Sequence, residues 1–426
     1  MDAYFIEMFR RLKLTKRQRD DAIAKYTGVA KTLHAQFYGS EYNDSCKLLI
    51  GSYGKRTHIR PPGDVDLLFK IPLETFEQYS GHSGNGQAAL LQKVRDVLGK
   101  KYITTEKIAA WGKVVLVEFS DGTHNIEVLP GYEINGVFKI PNSENGGSWE
   151  DFDARKEINL IVDSHARTGG KTRKLIRMIK RWRKENATMT IKAYEIEQYC
   201  VQFLDAQPYE GKSWSELVVA FFTWLDGIAY KDTTFIATAY ARAIKARAYE
   251  LTDKIDKACE EWSKVFGAAF PAYSQSLDKV YTLTKQFPSP SEEYIEDIFP
   301  VRINPSYSVS IAPTISGKGF RLQSFHDFVQ RYGAVPKRLQ LKFQATSNVP
   351  GPVQYWWKVR NFYEEARAAN SGKGLRGEIR QGELTGIKTE DTLYKGTHYV
   401  ECYIIKDDVC VAKTLLFVPI SKENAA

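Results

Sequence analysis

Residues 47–69 read K-L-L-I-G-S-Y-G-K-R-T-H-I-R-P-P-G-D-V-D-L-L-F. The segment consists of an apolar strand, a small-residue turn at Gly51-Ser52, and a second apolar strand that carries two carboxylates. Because side chains alternate between the two faces of a strand, Asp64 and Asp66 are expected on the same face. Two neighbouring carboxylates repel each other and are costly to bury unless a cation binds between them. The stretch therefore predicts a metal site.

The turn that precedes the two aspartates indicates which substrate the metal site serves. Gly51 lets the backbone approach a phosphate closely, and Ser52 offers it an N–H and a hydroxyl. Metal ions on the aspartates and a triphosphate at the turn together predict nucleotidyl transfer. We expect two divalent ions, Mg²⁺ or in its place Mn²⁺, which activate a ribose hydroxyl and neutralise the leaving pyrophosphate.

A third carboxylate usually completes a two-metal site. Glu127 is the favoured candidate, as a lone acid in the apolar strand N-I-E-V-L-P at 125–130. Glu118, in V-L-V-E-F at 115–119, is the rival. A strand paired with that of Asp64 would aim Glu127 at the same face, whereas either acid could also lie on a solvated face of the sheet.

A basic helix is predicted at Lys171–Lys184, K-T-R-K-L-I-R-M-I-K-R-W-R-K. One face of this helix is apolar and belongs in a core. The opposite stripe is either a solvated surface or a surface that binds nucleotide or nucleic acid, and in the second case Lys180 reaches the triphosphate. The apolar face comprises Leu175, Ile179 and Trp182, and the basic stripe Arg173, Arg177, Lys180 and Lys184.

The composition is that of a soluble globular protein, with 43% hydrophobic and 26% charged residues in 426. A net charge of +9 favours polyanionic partners such as nucleotides. The five cysteines include no C-x-x-C pair, so a zinc site is not expected. No apolar run reaches the roughly 20 residues that span a bilayer, so we expect no membrane association and a cytoplasmic protein.

The pattern of elements predicts an α+β chain with four segments. Residues 1–165 mix strands and helices, including a helix that begins at a capping box of Thr15 and Gln18, and carry the Gly-Ser and Asp-x-Asp motifs. Residues 166–300 are dominated by long helical patterns, one of which is an alanine-rich stretch from Thr234 to Phe266. Residues 301–335 are predicted to be a linker. Short alternating strands with glycine-containing turns follow in residues 336–426 and predict a β-sandwich.

Several of these motifs occur together in a known family. The series Gly51-Ser52, Asp64-x-Asp66 and Glu127-Val-Leu-Pro, followed by a basic helix and A-Y-E-I-E at 193–197, resembles the bacterial CD-NTases. These are the SMODS-type nucleotidyltransferases, which are similar to cGAS and oligoadenylate synthetase. The family often has aspartate where this chain has Glu127.

This resemblance covers about residues 1–300 and implies a polymerase-beta-like nucleotidyltransferase core, a helical lobe, and an active site in the cleft between them. It further implies that Gly51 and Ser52 hold the donor phosphates and that Thr57 and Lys180 contact the nucleotide. The metal ligands that it implies are Asp64, Asp66 and Glu127. His58 is interpreted as a loop residue and not as a catalyst.

Enzymes of this family join NTPs into cyclic di- or oligonucleotide second messengers that trigger anti-phage (CBASS-type) effectors. The resemblance thus implies ATP and other NTPs as substrates and an effector protein encoded elsewhere. Two alternatives stay open. The same chemistry could extend RNA ends or modify a protein or small molecule, or the chain could be an inert nucleotide- or nucleic-acid-binding sensor.

The C-terminal segment contains four ordered motifs, which are F-x-A at 343–345, W-x-V-x-N at 357–361, L-R-G at 375–377 and T-x-Y-x-G-x-H at 392–398. With this series the segment resembles the AGS-C sensor domain, and the aromatic residues of the motifs are expected in a sandwich core or beside a ligand. Arg376 and His398 are hypothesised to line a pocket for a nucleotide or a related anion.

Overall fold

A computed structural model describes residues 1–317 and 320–421. The chain forms two compact units, Met1–Phe270 and Pro271–Ala426. Within the described residues, no helix combines the length and the apolar character needed to cross a membrane.

The first unit is built on a mixed sheet, in which β2 and β5 are parallel neighbours and the other pairs are antiparallel. The central order is β1-β2-β5-β4-β3, with β6 and β7 continuing from the far end of β5. This arrangement confirms the predicted α+β class with a mixed sheet. The strands β1 to β7 are Lys47–Leu49, Val65–Lys70, Lys107–Trp111, Val114–Glu118, Ile126–Ile134, Val137–Asn142 and Ser148–Phe152.

Helices account for most of the rest of the first unit. The predicted capping box at Thr15 and Gln18 is present and begins the second helix. The alanine-rich stretch after residue 233, predicted as one helix, is two, because Asp253 adopts a left-handed φ of 55° between them. The helices α1 to α11 are Asp2–Leu12, Lys16–Tyr38, Gly51–Gly54, Leu73–Ser80, Gly86–Lys101, Ala154–Arg167, Lys171–Glu185, Ala193–Ala206, Trp214–Ile228, Thr233–Leu251 and Ile255–Phe266.

The two faces of β2 have different environments. Val65, Leu67 and Phe69 are fully buried in a core that includes side chains of α2 and α5. Leu68 points to the other face and packs in a smaller cluster. Because alternation puts Asp66 on the same face as Leu68, the acid is held outside the main core while its neighbours anchor the strand.

The second unit contains, among residues 271–317 and 320–421, two four-stranded antiparallel sheets with the orders β13-β10-β8-β9 and β12-β11-β14-β15. Side chains of both sheets share one core, which confirms the predicted β-sandwich. The strands β8 to β15 are Val309–Gly317, Phe320–Ser324, Gln340–Ser347, Gln354–Arg360, Arg376–Gln381, Ile387–Asp391, Gly396–Lys406 and Val409–Ile420, and the helices α12 to α15 are Leu277–Gln286, Ile295–Ile298, Phe325–Tyr332 and Tyr363–Ala368.

The structure differs from the predicted linker at residues 301–335. This segment contributes β8, which pairs with β10 along its whole length, and also β9 and α14. The strand signal of β8 is weak in the sequence V-S-I-A-P-T-I-S-G because Ser, Thr, Pro and Gly, which favour turns, make up more than half of it.

Residues 287–293 also belong to the second unit, although the sequence predicts them in a helical lobe that extends to residue 300. The side chain of Arg360 is fully buried and donates to the carbonyls of Phe287 and Leu375 and to the carboxylate of Glu292. Lys358, also buried, pairs with the same carboxylate and donates to the carbonyl of Glu293 at 2.8 Å. Two buried cations thus fix this segment to the sheet.

Replacing Glu292 with Gln leaves both buried cations without their shared counter-charge. We expect the opening free energy of β11 to fall by about 3 kcal/mol, since breaking a buried ion pair is strongly destabilising. Native-state hydrogen exchange on peptides of β11 measures it. The control is Glu364→Gln, whose partner is the exposed Arg367 and whose expected effect is below about 0.5 kcal/mol. Equal effects of the two substitutions would contradict this account.

Candidate functional site

The structure brings the three predicted acidic residues to the start of the two parallel strands. Asp66 in β2 and Glu127 in β5 are direct register partners. Asp64 immediately precedes β2, and its Oδ1 accepts a hydrogen bond of 3.1 Å from Nδ2 of Asn125, which precedes β5. Two neighbouring pairs, Asp64 with Asn125 and Asp66 with Glu127, therefore lie side by side.

The electrostatic state of this cluster follows from burial and from mutual repulsion. Burial raises the pKa of Asp66 to about 6, and the neighbouring Asp64 contributes to the rise. Burial likewise raises the pKa of Glu127 to about 7, with further contributions from Asp66 and Asp64. Each shift means that the ionised cluster is unfavourable unless a proton or a cation joins it.

Glu118, the rival third carboxylate, lies one strand further away. It is at the end of β4, opposite Lys107 in β3. In the sheet, β5 separates β4 from β2. The register therefore favours Glu127 as the partner of the two aspartates.

The predicted Gly51-Ser52 turn is the first part of the short helix α3. Gly51 has a φ of 54°, and a Cβ at this position would lie 1.9 Å from Oδ2 of Asp66. The backbone N–H of Ser52 donates a hydrogen bond to the carboxylate of Asp66 and thereby offsets part of the rise in its pKa. Glycine is thus required here for two reasons, the left-handed φ and the contact with the carboxylate.

Thr57 and Lys180, the predicted nucleotide contacts, meet at a buried carboxylate. The Lys180 ammonium donates to Oε1 of Glu197 at 2.6 Å and to the hydroxyl of Thr57 at 2.9 Å. Thr57 donates to the same Oε1 at 2.5 Å, and the Lys55 ammonium lies 3.0 Å from Oε2. These groups are satisfied within the protein, so their contact with a nucleotide stays a prediction.

Glu197 is a residue that the sequence analysis did not assign to the site. Burial acts to raise its pKa, but Lys180 and Lys55 outweigh that effect and hold the pKa below its ordinary value. Glu197 ends the A-Y-E-I-E motif at the start of α8. The signal that could have identified it is an acid on the apolar face of this helix, next to Ile196.

The basic stripe of α7 is neither fully solvated nor directed only at a ligand. It contacts the loop of residues 55–61, which connects α3 to the aspartates. Arg173 Nε donates to the carbonyl of Lys55 at 3.0 Å, Arg177 Nη2 to that of Arg56 at 2.6 Å, and Lys184 Nζ to that of Pro61 at 3.2 Å. The helix thus fixes the path of the chain between Ser52 and Asp64.

His58 lies in this loop, as predicted, and stacks on Tyr53 with ring centroids 4.5 Å apart. Burial, with a further contribution from Arg177, lowers the pKa of His58 to about 4. The imidazole is therefore neutral at pH 7 and acts as a packing group.

In the chain as described, residues 1–317 and 320–421, no three side chains of His, Cys, Asp or Glu are arranged to hold one metal ion. The roles of Asp64, Asp66 and Glu127 as metal ligands therefore stay predictions. The structure shows that they are neighbours and that two of them have raised pKa values.

The hypothesised pocket at Arg376 and His398 has another explanation. His398 is buried, with Nδ1 accepting from the backbone N–H of Phe362 at 3.1 Å and Nε2 bonded to the carbonyl of Tyr394 at 2.7 Å. Arg376 pairs with the carboxylate of Glu390. Both side chains thus have structural partners, and His398 in particular is a core residue.

Comparison with known proteins identifies both parts of the chain. Residues 1–164 match the family described as Second Messenger Oligonucleotide or Dinucleotide Synthetase domain (SMODS). Residues 289–421 match the family described as Adenylyl/Guanylyl and SMODS C-terminal sensor domain (AGS_C). A comparison with the curated proteins gives no match.

Several solved structures are similar to parts of the chain. CdnC of E. coli MS115-1 with ATP has 17% identity and a TM-score of 0.47, covering 64% of this chain and 99% of that one. DncV of Vibrio cholerae in its 3'-deoxy GTP bound form has 13% identity and a TM-score of 0.48, covering 63% and 93%. CdnG of Bradyrhizobium diazoefficiens in complex with GTP has 13% identity and a TM-score of 0.45, covering 66% and 99%. The family assignment of this chain depends on the SMODS and AGS_C matches and not on these structural similarities.

Substituting Gly51 with Ala tests the close approach of the backbone to Asp66. We expect nucleotidyl transfer to fall roughly 100-fold, because a displacement of about 1 Å in a reacting site has an effect of that size. Incorporation of label from ATP measures it. Gly39→Ala is the matched control, since Gly39 also has a left-handed φ, of 61°, but has open space at its Cβ position. If both variants lose activity equally, the contact with Asp66 is not the reason for glycine.

Proposed function

Because the chain is a SMODS-type nucleotidyltransferase, a CD-NTase, with a C-terminal AGS-C sensor domain, we propose that it joins NTPs into cyclic di- or oligonucleotides. The observation that carries the proposal is the register pairing of Asp66 with Glu127 beside Asp64. The backbone of Gly51 lies against the carboxylate of Asp66 at the same point. ATP is the first substrate to test.

Mg²⁺ is the proposed metal, with Mn²⁺ as a substitute. The donor set of Asp64, Asp66 and Glu127 consists only of carboxylate oxygens, which are the ligands that hard divalent cations prefer. The pKa values of Asp66 and Glu127 are raised, and a cation bound between the two carboxylates would lower both. When bound, the ions would promote attack by a ribose hydroxyl and departure of pyrophosphate.

The residues around the acids are proposed to bind and orient the nucleotide. The N–H of Ser52, which here bonds to Asp66, and its hydroxyl are suited to the donor phosphates. Lys180 of α7 and Thr57 of the adjacent loop both donate to Glu197, and we propose that their charge and position shape the phosphate site. Asn125 orients Asp64 through its side-chain amide.

The biological setting is proposed from the family membership. A second messenger made by this chain would activate an effector protein encoded elsewhere, in anti-phage (CBASS-type) signalling. The AGS-C module is consistent with control of synthesis by a ligand.

The proposed reaction predicts a low-mass product that is resistant to phosphatase when purified protein, labelled NTPs and Mg²⁺ are incubated without any polymer. Mass spectrometry with nuclease digestion identifies it. Product that forms only when RNA, protein or a small-molecule acceptor is added would instead support the alternative transferase activity.

Glu127→Gln is expected to reduce the rate of this reaction roughly 1,000-fold, since losing a metal ligand costs several kcal/mol of transition-state stabilisation. Glu118→Gln, the matched control in the neighbouring strand, should stay within about twofold. A larger loss in the Glu118 variant would assign the third carboxylate to β4.

A further inference from the structure

The C-terminal sandwich has an edge, formed by β12 and β13, that the proposed function does not use. Strands β12 and β13 are edge strands of different sheets and follow each other in the chain. Between them lies a pocket of about 470 Å³, a volume within the range of about 300–1,000 Å³ that is typical of small-molecule sites.

The strand register places one cationic side chain from each sheet at this edge. Arg380 of β12 pairs with Trp357, and Lys388 of β13 pairs with Phe343. Directly opposite residues of neighbouring strands share a face, and both aromatic rings belong to the core between the sheets, with centroids 6.5 Å apart. Two positive side chains therefore flank the pocket on a face that is otherwise apolar.

The two ends of this edge differ in their counter-charges. At one end, Arg376 of β12 pairs with Glu390 of β13, so an ion pair connects the two sheets. Lys388 also contacts Glu390, at 2.9 Å. At the pocket end, the side chain of Arg380 is 69% exposed, and within residues 1–317 and 320–421 its one ion pair is with Glu293 at 3.8 Å.

A buried donor also lacks a partner at this pocket. Trp357 is 2% exposed, and its Nε1 has no hydrogen-bond acceptor among the described residues. Gly382 covers it, and a Cβ there would lie 2.7 Å from Nε1. A buried N–H without an acceptor is unfavourable, and Gly382, which also lines the pocket, would have to shift before an acceptor on a ligand could reach it.

We propose that this pocket is the ligand site of the sensor domain and that its ligand is a nucleotide. The phosphate would lie between Arg380 and Lys388. It would connect the cations of the two sheets at this end, as Glu390 connects β12 and β13 at the other end. Polar atoms of the base or ribose would face Gln381 and Thr389, which also line the pocket. The carboxylate in the lining, Glu383, accepts from the hydroxyl of Thr385 at 3.2 Å.

An alternative role for the same cations is to prevent unwanted strand pairing, because inward-pointing charges protect sheet edges. This role requires no ligand and therefore predicts no saturable binding. The proposal concerns the second unit alone and does not depend on the catalytic function of the first.

Isothermal titration with AMP tests the proposal on the full chain in EDTA. The chain carries Asp64→Asn and Asp66→Asn, so that nothing is turned over and a failure of the proposed catalytic function leaves the result unaffected. We expect saturable AMP binding that weakens at least tenfold when Arg380→Gln and Lys388→Gln are added. Lys342→Gln, an exposed cation next to Phe343 in β10, is the matched control and should change nothing.

Three results would overturn the proposal. AMP could fail to bind, it could bind equally well without Arg380 and Lys388, or inorganic phosphate could bind as tightly as AMP. The last result would identify a simple anion site. Thermal unfolding of each variant confirms that the pocket substitutions leave the fold intact.

Discussion

Repulsion among three carboxylates at the start of two parallel strands is the constraint that shapes the first unit. Asp64, Asp66 and Glu127 lie beside one another because β2 and β5 are parallel and in register. Counter-charge comes from elsewhere in the unit, since Lys180 and Lys55 act against the rise in the pKa of Asp66 while their ammonium groups bond to Glu197. The cluster is thus supported by long-range attraction but stays electrostatically incomplete, which is the property a cation site needs.

The helical segment is part of this arrangement and not a separate layer. The cations of α7 donate to the carbonyls of residues 55–61, and Glu197 of α8 ties Lys55, Thr57 and Lys180 together. Buried ion networks of this kind contribute little net stability, but removing one member leaves an uncompensated charge. These contacts connect the predicted core of residues 1–165 to the helices that follow it, and residues 1–270 form one compact unit.

Much of this was predictable from local patterns. Alternation located β2 and β5, the capping box located the start of α2, and apolar periodicity located α7. What failed depended on distant partners. Strand β8 pairs with β10 despite its turn-forming composition, and the segment around Glu292 joins the sandwich through the buried Arg360. His398, assigned to a pocket, is a core residue bonded to the backbone of Phe362 and Tyr394. Glu197 was missed because its three partners lie up to 142 residues away.

Anomalous diffraction from crystals grown with Mn²⁺ and a non-hydrolysable ATP analogue tests the central claim most directly. The account predicts manganese peaks within coordination distance of Asp64, Asp66 and Glu127, with the triphosphate at Gly51 and Ser52. Manganese bound elsewhere, or a triphosphate held away from these three carboxylates, would contradict it.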